Sequence, residues 1–423
     1  MPLALQGIRV LDLTDSIIGP YATTVLASCG AEVIKIESRY HLGFRGAGAR
    51  DPRAGGKSVV PSQPEKEIDF SQINLDLVMA PTFAQYAHDK LGVTLNMPRS
   101  DARELFKKLV KVSDVIVDNL RSGIMKRWGL SYPALKEIKD DIIVASLQSM
   151  GKGPYEGWTT WGMNLLSFSG FSNEWGHPGT PMTDRAASGY LVDYIAGGQA
   201  AAAILAAVYS RALTGEGQYI ELSQAEAGAS VLGVSFLDYF VNRRISQPRG
   251  NRDPRFAPYN CYRCRGDDSW CVIAICGEEE WSNFCLALDN PPWTNEARFK
   301  DNASRTENVA ELDKNIEGWT KRYTPHQAMR ILQSFGVAAG AVQNGEDMYY
   351  DAQLRSRGYM IEQELPFVGS TTFGGVPIRL SAGQVEHPRQ APRLGEHNSY
   401  VFGQLLGLSQ KEIDDLVKAD VIV

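Results

Sequence analysis

The chain has no basic excess, no glycine-rich phosphate fingerprint, no long hydrophobic run and no second cysteine pair. Each absence removes a class of function. Its 423 residues carry 43 Lys and Arg against 49 Asp and Glu, a formal net charge of −6. Binding to a phosphate backbone shows as a basic excess, so nucleic acid is not an expected partner. Neither G-x-G-x-x-G nor a P-loop occurs, and the turn after the first strand candidate reads "TDSIIGP". That argues against nicotinamide-dinucleotide and nucleoside-triphosphate chemistry. The small-apolar run from Gly197 to Tyr209 is too short for a membrane span. The start, "MPLALQGIRVLDL", lacks the charged head and long apolar core of a secretory signal. A soluble cytoplasmic protein with no membrane partner is expected. Five of the six cysteines lie between Cys261 and Cys285, and "CYRC" is a C-x-x-C. Zinc needs a second ligand pair at comparable spacing. Cys271 and Cys276 do not supply one and no histidine is near, so no metal is expected.

What is present is an α/β pattern. "GIRVLDL", "PYATTVLASCG" and "AEVIKIE" (Ala31–Glu37) read as strand, helix and strand within about thirty residues, a βαβ unit that implies a parallel sheet. Residues 40–80 are rich in Gly, Pro, Arg and Ser and read as a long surface excursion. The pattern returns with an amphipathic helix in "RSDARELFKKLVKVSDVIVDNL", the strand "DVIVDN" and the strand "DDIIVASLQS". Ligands of open α/β sheets bind beyond such C-terminal strand ends. Further on come the strand "QYIELS", one helix over "AEAGASVLGVSFLDYFVNRR", and a composition shift at Ile245–Asn260 that looks like a linker. "YNCYRCRGDDSWCVIAIC" reads as two strands around a Gly266-Asp267-Asp268 turn. Ser409 and Glu412 form a capping-box pattern near the end.

One residue stands out. Asp193 heads "YLVDYIAGGQAAAAILAAVYSRALTGEG", which is otherwise largely alanine, glycine and aliphatic. Asp is favoured at helix N-termini because its oxygen accepts an orphan N–H and suits the dipole. The alternative is that a carboxylate is held there to react.

Four stretches in order, "LQGIRVLDLT…GPYATTVLASCGAEVIKIE", "SDVIVDNLRSGIMKRWGL", the Asp193 segment through "QYIELS", and "APRLGEHN", resemble the class III CoA-transferase family. The family includes formyl-CoA transferase, carnitine CoA-transferase and alpha-methylacyl-CoA racemase, and the resemblance runs from residue 5 to about 405. It implies a large Rossmann-like domain built from both chain ends and a smaller α+β domain between them. The corresponding ranges are 1–225 for the large domain, 226–260 for a linker, 261–335 for the small domain and 336–423 for the return. It also implies an interlocked homodimer. Asp193 matches the family's catalytic aspartate. The implied reaction moves CoA from an acyl-CoA to a free carboxylic acid through an aspartyl anhydride and an aspartyl-CoA thioester. The CoA thioester is a substrate, and no tightly bound cofactor is expected. A heteromer with a homologous subunit remains an alternative assembly, in which this chain binds CoA.

The resemblance also carries over CoA-binding positions: Ser16, Ile17 and Ile18 in the first loop, Arg39 after "KIE", Leu95, Asn119 and Arg127. The lysine of the family's "LDLK" falls on Pro98, with Arg99 beside it as a substitute cation. Guanidiniums suit CoA phosphates as charge-assisted donors, though each is equally readable as a solvated surface cation. Gly197 and Gly198, beside Asp193, would allow either close substrate approach or tight helix packing. The family's racemase branch carries a His-Asp acid/base where this chain has Trp161 and Gly162. Epimerisation needs an acid and a base on opposite faces, so racemase is the second reading, with His177 the nearby substitute; the expected place of His177 is instead a loop or the substrate pocket. The formyl-CoA branch closes its site with a glycine run that is absent here, which argues against oxalate and formyl-CoA. "GNRDPRFAPYNCYRCRGDDSW" looks more like the branch acting on larger organic acids. The expectation is therefore succinyl-CoA as donor and an aromatic or dicarboxylic acceptor such as benzylsuccinate. Trp158, Trp161 and Trp175 would flank the pocket or belong to the core.

Overall fold

A computed structural model describes residues 2–46, 50–51, 57–58, 79–182, 189–365, 369–383 and 389–423. Most of the excursion expected over 40–80 lies outside the described residues. The chain divides into two compact units. One holds 1–171, 187–237 and 354–423, and the other 172–186 and 238–353.

The first unit is built on a six-stranded sheet: β1 (Arg9–Asp12), β2 (Glu32–Glu37), β3 (Lys90–Thr94), β4 (Val115–Asp118), β5 (Ile143–Gln148) and β6 (Tyr219–Ser223). Its spatial order is β3-β2-β1-β4-β5-β6, with every neighbouring pair parallel. This is the Rossmann order, and its topological switch point falls between β1 and β4. Parallel strands covered on both faces need apolar residues at successive positions. Here Val10, Val33, Val115 and Val117 face one cluster while Leu11, Ile34 and Ile116 face the other. On the first face lie α1 (Ile18–Ser28) and the later helix that carries Ala196, Ala200 and Ala207; on the second lies α2 (Ser100–Lys111) with Val401, Phe402 and Ile422. The chain's end is thus part of the first unit's core.

Beyond β5 come α3 (Gly162–Phe168) and α4 (Leu191–Thr214). At 24 residues α4 is long and apolar enough to cross a membrane by composition, longer than the Gly197–Tyr209 run suggested. Its Ala196, Ala200, Ile204 and Ala207 instead pack into the core beneath the sheet. One helix was expected after β6, but two form: α5 (Gln224–Ser230) and α6 (Gly233–Asn242). Gly228 holds the first against the core, where an added Cβ would lie 2.6 Å from Ser169 Oγ. No residue of α6 is buried.

In the second unit, β7 (Tyr259–Arg263), β8 (Trp270–Ala274) and β9 (Ala338–Ala341) form an antiparallel sheet in the order β9-β8-β7. The β7–β8 hairpin turns at Gly266-Asp267-Asp268 as the sequence suggested, with Gly266 at φ +129° and Asp268 at +42°. All six cysteines are free thiols. Helices α7 (Val309–Thr320) and α8 (Pro325–Ser334) cover the cysteine-rich core. In the first unit, Ser409 and Glu412 form the capping box of α9 (Gln410–Lys418).

Candidate active site

Asp193 is the third residue of α4, after an N-cap at Tyr190 that makes no side-chain capping bond. It does not act as a cap. It is 6% exposed; its Oδ1 accepts a hydrogen bond from Gln224 Nε2 at 3.0 Å, and its Oδ2 is buried without a partner among the described residues. Gln224 opens α5 directly beyond β6, which puts the carboxylate at the C-terminal edge of the sheet. A buried acceptor left unsatisfied is costly and rare in folded chains. Burial pushes the Asp193 carboxyl up to about 6, while the Gln224 hydrogen bond partly opposes it. At neutral pH it is still about nine-tenths ionised, and a more basic carboxylate is a better nucleophile.

Glycine at 162 makes room for this carboxylate. A Cβ there would sit 1.8 Å from the Gly189 carbonyl oxygen and 3.0 Å from Asp193 Oδ2. Position 161 is the α3 N-cap residue, a tryptophan 67% exposed whose backbone N–H donates to Asn164 Oδ1. Neither position offers an acid or base.

One turn along α4, Gly197 lies against the start of α1. An added Cβ would be 2.8 Å from the Ile18 carbonyl oxygen and 2.9 Å from Tyr21 Cδ1. Gly198 faces outward with nothing within 4 Å. Of the two uses weighed for the glycine pair, tight packing therefore falls to Gly197 and open space to Gly198. Gly197 brings the Ser16–Ile18 loop beside the Asp193 helix. Ser16 is in the left-handed region at φ +65°, a conformation that costs a non-glycine residue and often marks functional loops. Ile17 and Ile18 are buried. Asn119 joins this loop across the switch point: its Oδ1 accepts from the Asp15 N–H at 2.9 Å and its Nδ2 donates to the Asp15 carbonyl at 2.7 Å.

Beneath the loop is a buried ionic cluster that sequence reasoning missed. Asp12 accepts from Thr14 and Thr23 and is paired with Lys90 at 3.1 Å, and Lys90 also donates to the Pro20 carbonyl. Lys35 reaches the Thr14 carbonyl and lies 3.8 Å from Asp12. Burial acts to raise the Asp12 pKa, but Lys35 and Lys90 hold it well below the usual carboxylate range. Burial lowers Lys90 to about 8 against the pull of Asp12. A charged residue closing an otherwise apolar strand, as in "VLDLT", is the signal that could have flagged it. Gln224 carried no comparable signal.

The remaining positions are more dispersed. Arg39 follows β2 with its Nε buried and unpartnered among the described residues, and Arg99 lies beyond β3, exposed and paired with Asp101 at 2.7 Å. Both guanidiniums bear on the Tyr40 hydroxyl, which groups them beyond the C-terminal ends of β2 and β3. Leu95 is 1% exposed and packs in the core. Arg127 is exposed at the end of a short helix, Ile124–Arg127. A cavity of about 420 Å³ opens beyond β4, β5 and β6, lined by Arg121, Lys126 and Lys152 as well as by Asp118. Burial raises the Asp118 carboxyl to about 7. Trp158 and Trp161 are 53% and 67% exposed, so neither is core of this chain. Trp175 and His177 belong to the second unit and are also exposed. Among the described residues, no group of three or more His, Cys, Asp or Glu is placed to hold a metal.

The model of CoA-transferase family III matches residues 5–398. A succinyl-CoA–D-citramalate CoA-transferase of Chloroflexus aurantiacus is 28% identical over 100% of this chain and 98% of its own length. A formyl-CoA:oxalate CoA-transferase of Bradyrhizobium is 28% identical over 98% of this chain and 96% of its own. Among solved structures, a CaiB/BaiF family protein from Brucella suis superposes with a TM-score of 0.79 at 24% identity, covering 96% of this chain and all of the other.

Proposed function

The chain belongs to CoA-transferase family III, and from that premise we propose that it transfers CoA from succinyl-CoA to a free dicarboxylic acid with Asp193 as nucleophile. The observation that carries this reading is the buried Asp193 carboxylate, with one oxygen held by Gln224 and the other unengaged among the described residues. An ionised carboxylate needs no general base to attack a thioester. Its free Oδ2 adds to the acyl carbon, the C–S bond breaks, and CoA leaves as thiolate with a mixed anhydride left on Asp193. The thiolate then adds to the aspartyl carbonyl and expels the first acid as carboxylate, which leaves an aspartyl-CoA thioester. An acceptor carboxylate reverses both steps, departs as the new acyl-CoA and restores Asp193. One thioester replaces another, so no ATP is consumed, and the covalent route divides one hard exchange into easier steps. Burial of Asp193 supports this route because water would hydrolyse either intermediate.

For CoA itself, the reading assigns the Ser16–Ile18 loop and Asn119 to pantetheine and adenine contacts, and Arg39, Arg99 and Arg127 to the phosphates. The Asp12–Lys90 cluster would hold that loop in place. The substrate choice rests on the relatives: those named for succinyl-CoA and D-citramalate or for formyl-CoA and oxalate both act on dicarboxylic acids. The missing glycine run favours the former. A racemase would need a second acid/base, and Trp161 and Gly162 supply none. A second copy of the chain is the proposed cover for α6, whose Phe236, Leu237, Phe240 and Val241 are 59–72% exposed. A monomer by light scattering at micromolar concentration would overturn that assembly.

The test of the chemistry is trapping. Incubation with succinyl-CoA, a hydroxylamine or borohydride quench and peptide mapping should place the modification on Asp193 and lose it in Asp193→Asn. Modification elsewhere, or none despite CoA binding, would reject the nucleophile and return the chain to a CoA-binding subunit.

A further inference from the structure

The second unit carries a cavity of its own, about 460 Å³, lined by His177, Arg249, Asn251, Arg252, Asn260 and Trp270, with Cys261 at its wall. Among the described residues, no carboxylate side chain lines it. Its polar groups are chiefly donors: two guanidiniums, an imidazole and two carboxamides.

The two arginines differ in how their charge is used. Arg252 donates to Asp313 at 2.6 Å, and the same carboxylate takes Asn260 Nδ2 at 3.0 Å and the Tyr262 hydroxyl at 2.8 Å. Asp313 thereby fixes Arg252 and Asn260 from behind, leaving Arg252 most of its five N–H donors. Arg249 makes no ion pair or hydrogen bond among the described residues. Asp238 and Asp253 feel its charge, but they are already paired with Arg244 and Arg255 at 2.7 and 2.8 Å. The turn that carries Arg249 is built for this placement. Gly250 has φ +64° and its N–H donates to the Gly176 carbonyl, and a Cβ on it would sit 2.7 Å from His177 Nδ1. Trp270, whose Nε1 donates to Asp268, adds a fixed apolar surface.

We propose that this cavity binds a small organic dicarboxylate, one carboxylate on Arg249 and His177 and the other on Arg252. Guanidiniums recognise carboxylates through paired, charge-assisted hydrogen bonds. Two separately mounted ones fit a ligand with two carboxylates better than a single anion. The inference does not depend on Asp193 chemistry, because binding is readable without turnover.

Cys261 supplies the assay, with exposed Cys276 outside the cavity as internal control. The protein is alkylated with limiting iodoacetate or iodoacetamide, and each thiol is followed by peptide mass spectrometry. Glutarate or succinate at about 10 mM should slow Cys261 alkylation at least about threefold and leave Cys276 unchanged. Acetate should protect far less, and Arg249→Gln should abolish protection. Calorimetric titration with glutarate should show a matching loss of affinity in the same variant. Equal protection by acetate, or equal glutarate affinity in wild type and Arg249→Gln, would overturn the proposal. The source of the ligand is read from kinetics. Lost protection with a raised KM for the free acid makes it the reaction's own acid. Lost protection with an unchanged KM makes it a separate effector, and the site stands in both cases.

Discussion

Replacing Asp193 with Asn should stabilise the unliganded protein while removing its activity, and the gain should depend on pH. Burial raises the Asp193 carboxyl from 3.8 to about 6. The folded state therefore favours the protonated acid. The resulting contribution to stability is fully present below pH 4, fades as pH rises through 6, and is absent at pH 8. Two pKa units correspond to about 3 kcal/mol, so the ionised carboxylate leaves the folded protein less stable by about that amount at pH 8. Asparagine keeps an acceptor for Gln224 and carries no charge at any pH. Asp193→Asn should thus match wild type near pH 4 and exceed it by about 3 kcal/mol at pH 8, a rise in Tm of about 3–5 °C for a chain of this size. Differential scanning fluorimetry of both proteins from pH 4 to 8, without CoA, is the assay. A Tm difference that stays constant across that range, or a variant less stable at pH 8, would refute the assignment of Asp193 as a desolvated, high-pKa carboxylate.

Two further substitutions test how the site is held. Gln224→Leu removes the hydrogen bond that lowers the Asp193 pKa, so the acidic limb of the kcat/KM profile should move to higher pH; an unmoved limb would detach Gln224 from the proposed nucleophile. Gly197→Val places a side chain where even a Cβ lies 2.8 Å from the Ile18 carbonyl. It should cost about 1–3 kcal/mol and raise the KM for acyl-CoA by displacing the Ser16–Ile18 loop, whereas a loss of stability with unchanged KM would separate that loop from CoA binding.

Much of the architecture was legible in the order of residues because its causes are local. Strands β1, β2, β4, β5 and β6 lie within the stretches that announced them, and helix α1 starts two residues before "PYATTVLASCG" and ends inside it. The β7–β8 hairpin follows its Gly-Asp-Asp turn, and the α9 capping box follows Ser409 and Glu412. The helix expected after β6 split in two because close packing of Gly228 on Ser169, a tertiary contact, anchors only its first part. Leu95 and Arg99 were expected at the same ligand, yet one is core and the other is exposed and already paired with Asp101. Residue type alone does not say which way a side chain at a strand end will turn.

By itself the sequence determined the alternation of strands and helices, the family resemblance and the candidate nucleophile, since periodicity, turn chemistry and motif order are properties of neighbours along the chain. Only the tertiary structure decided what Asp193 is. Gln224, Gly162 and Gly189 lie 31, 31 and 4 residues from it in sequence, and they meet it because parallel strands deliver their C-terminal ends to one edge of the sheet. There they bury a carboxylate, bond one of its oxygens and leave the other unpaired among the described residues. Desolvation sums over whatever the fold packs around a group, which is why the same aspartate could be read as a helix cap in the sequence and stands as a raised-pKa carboxylate in the folded chain.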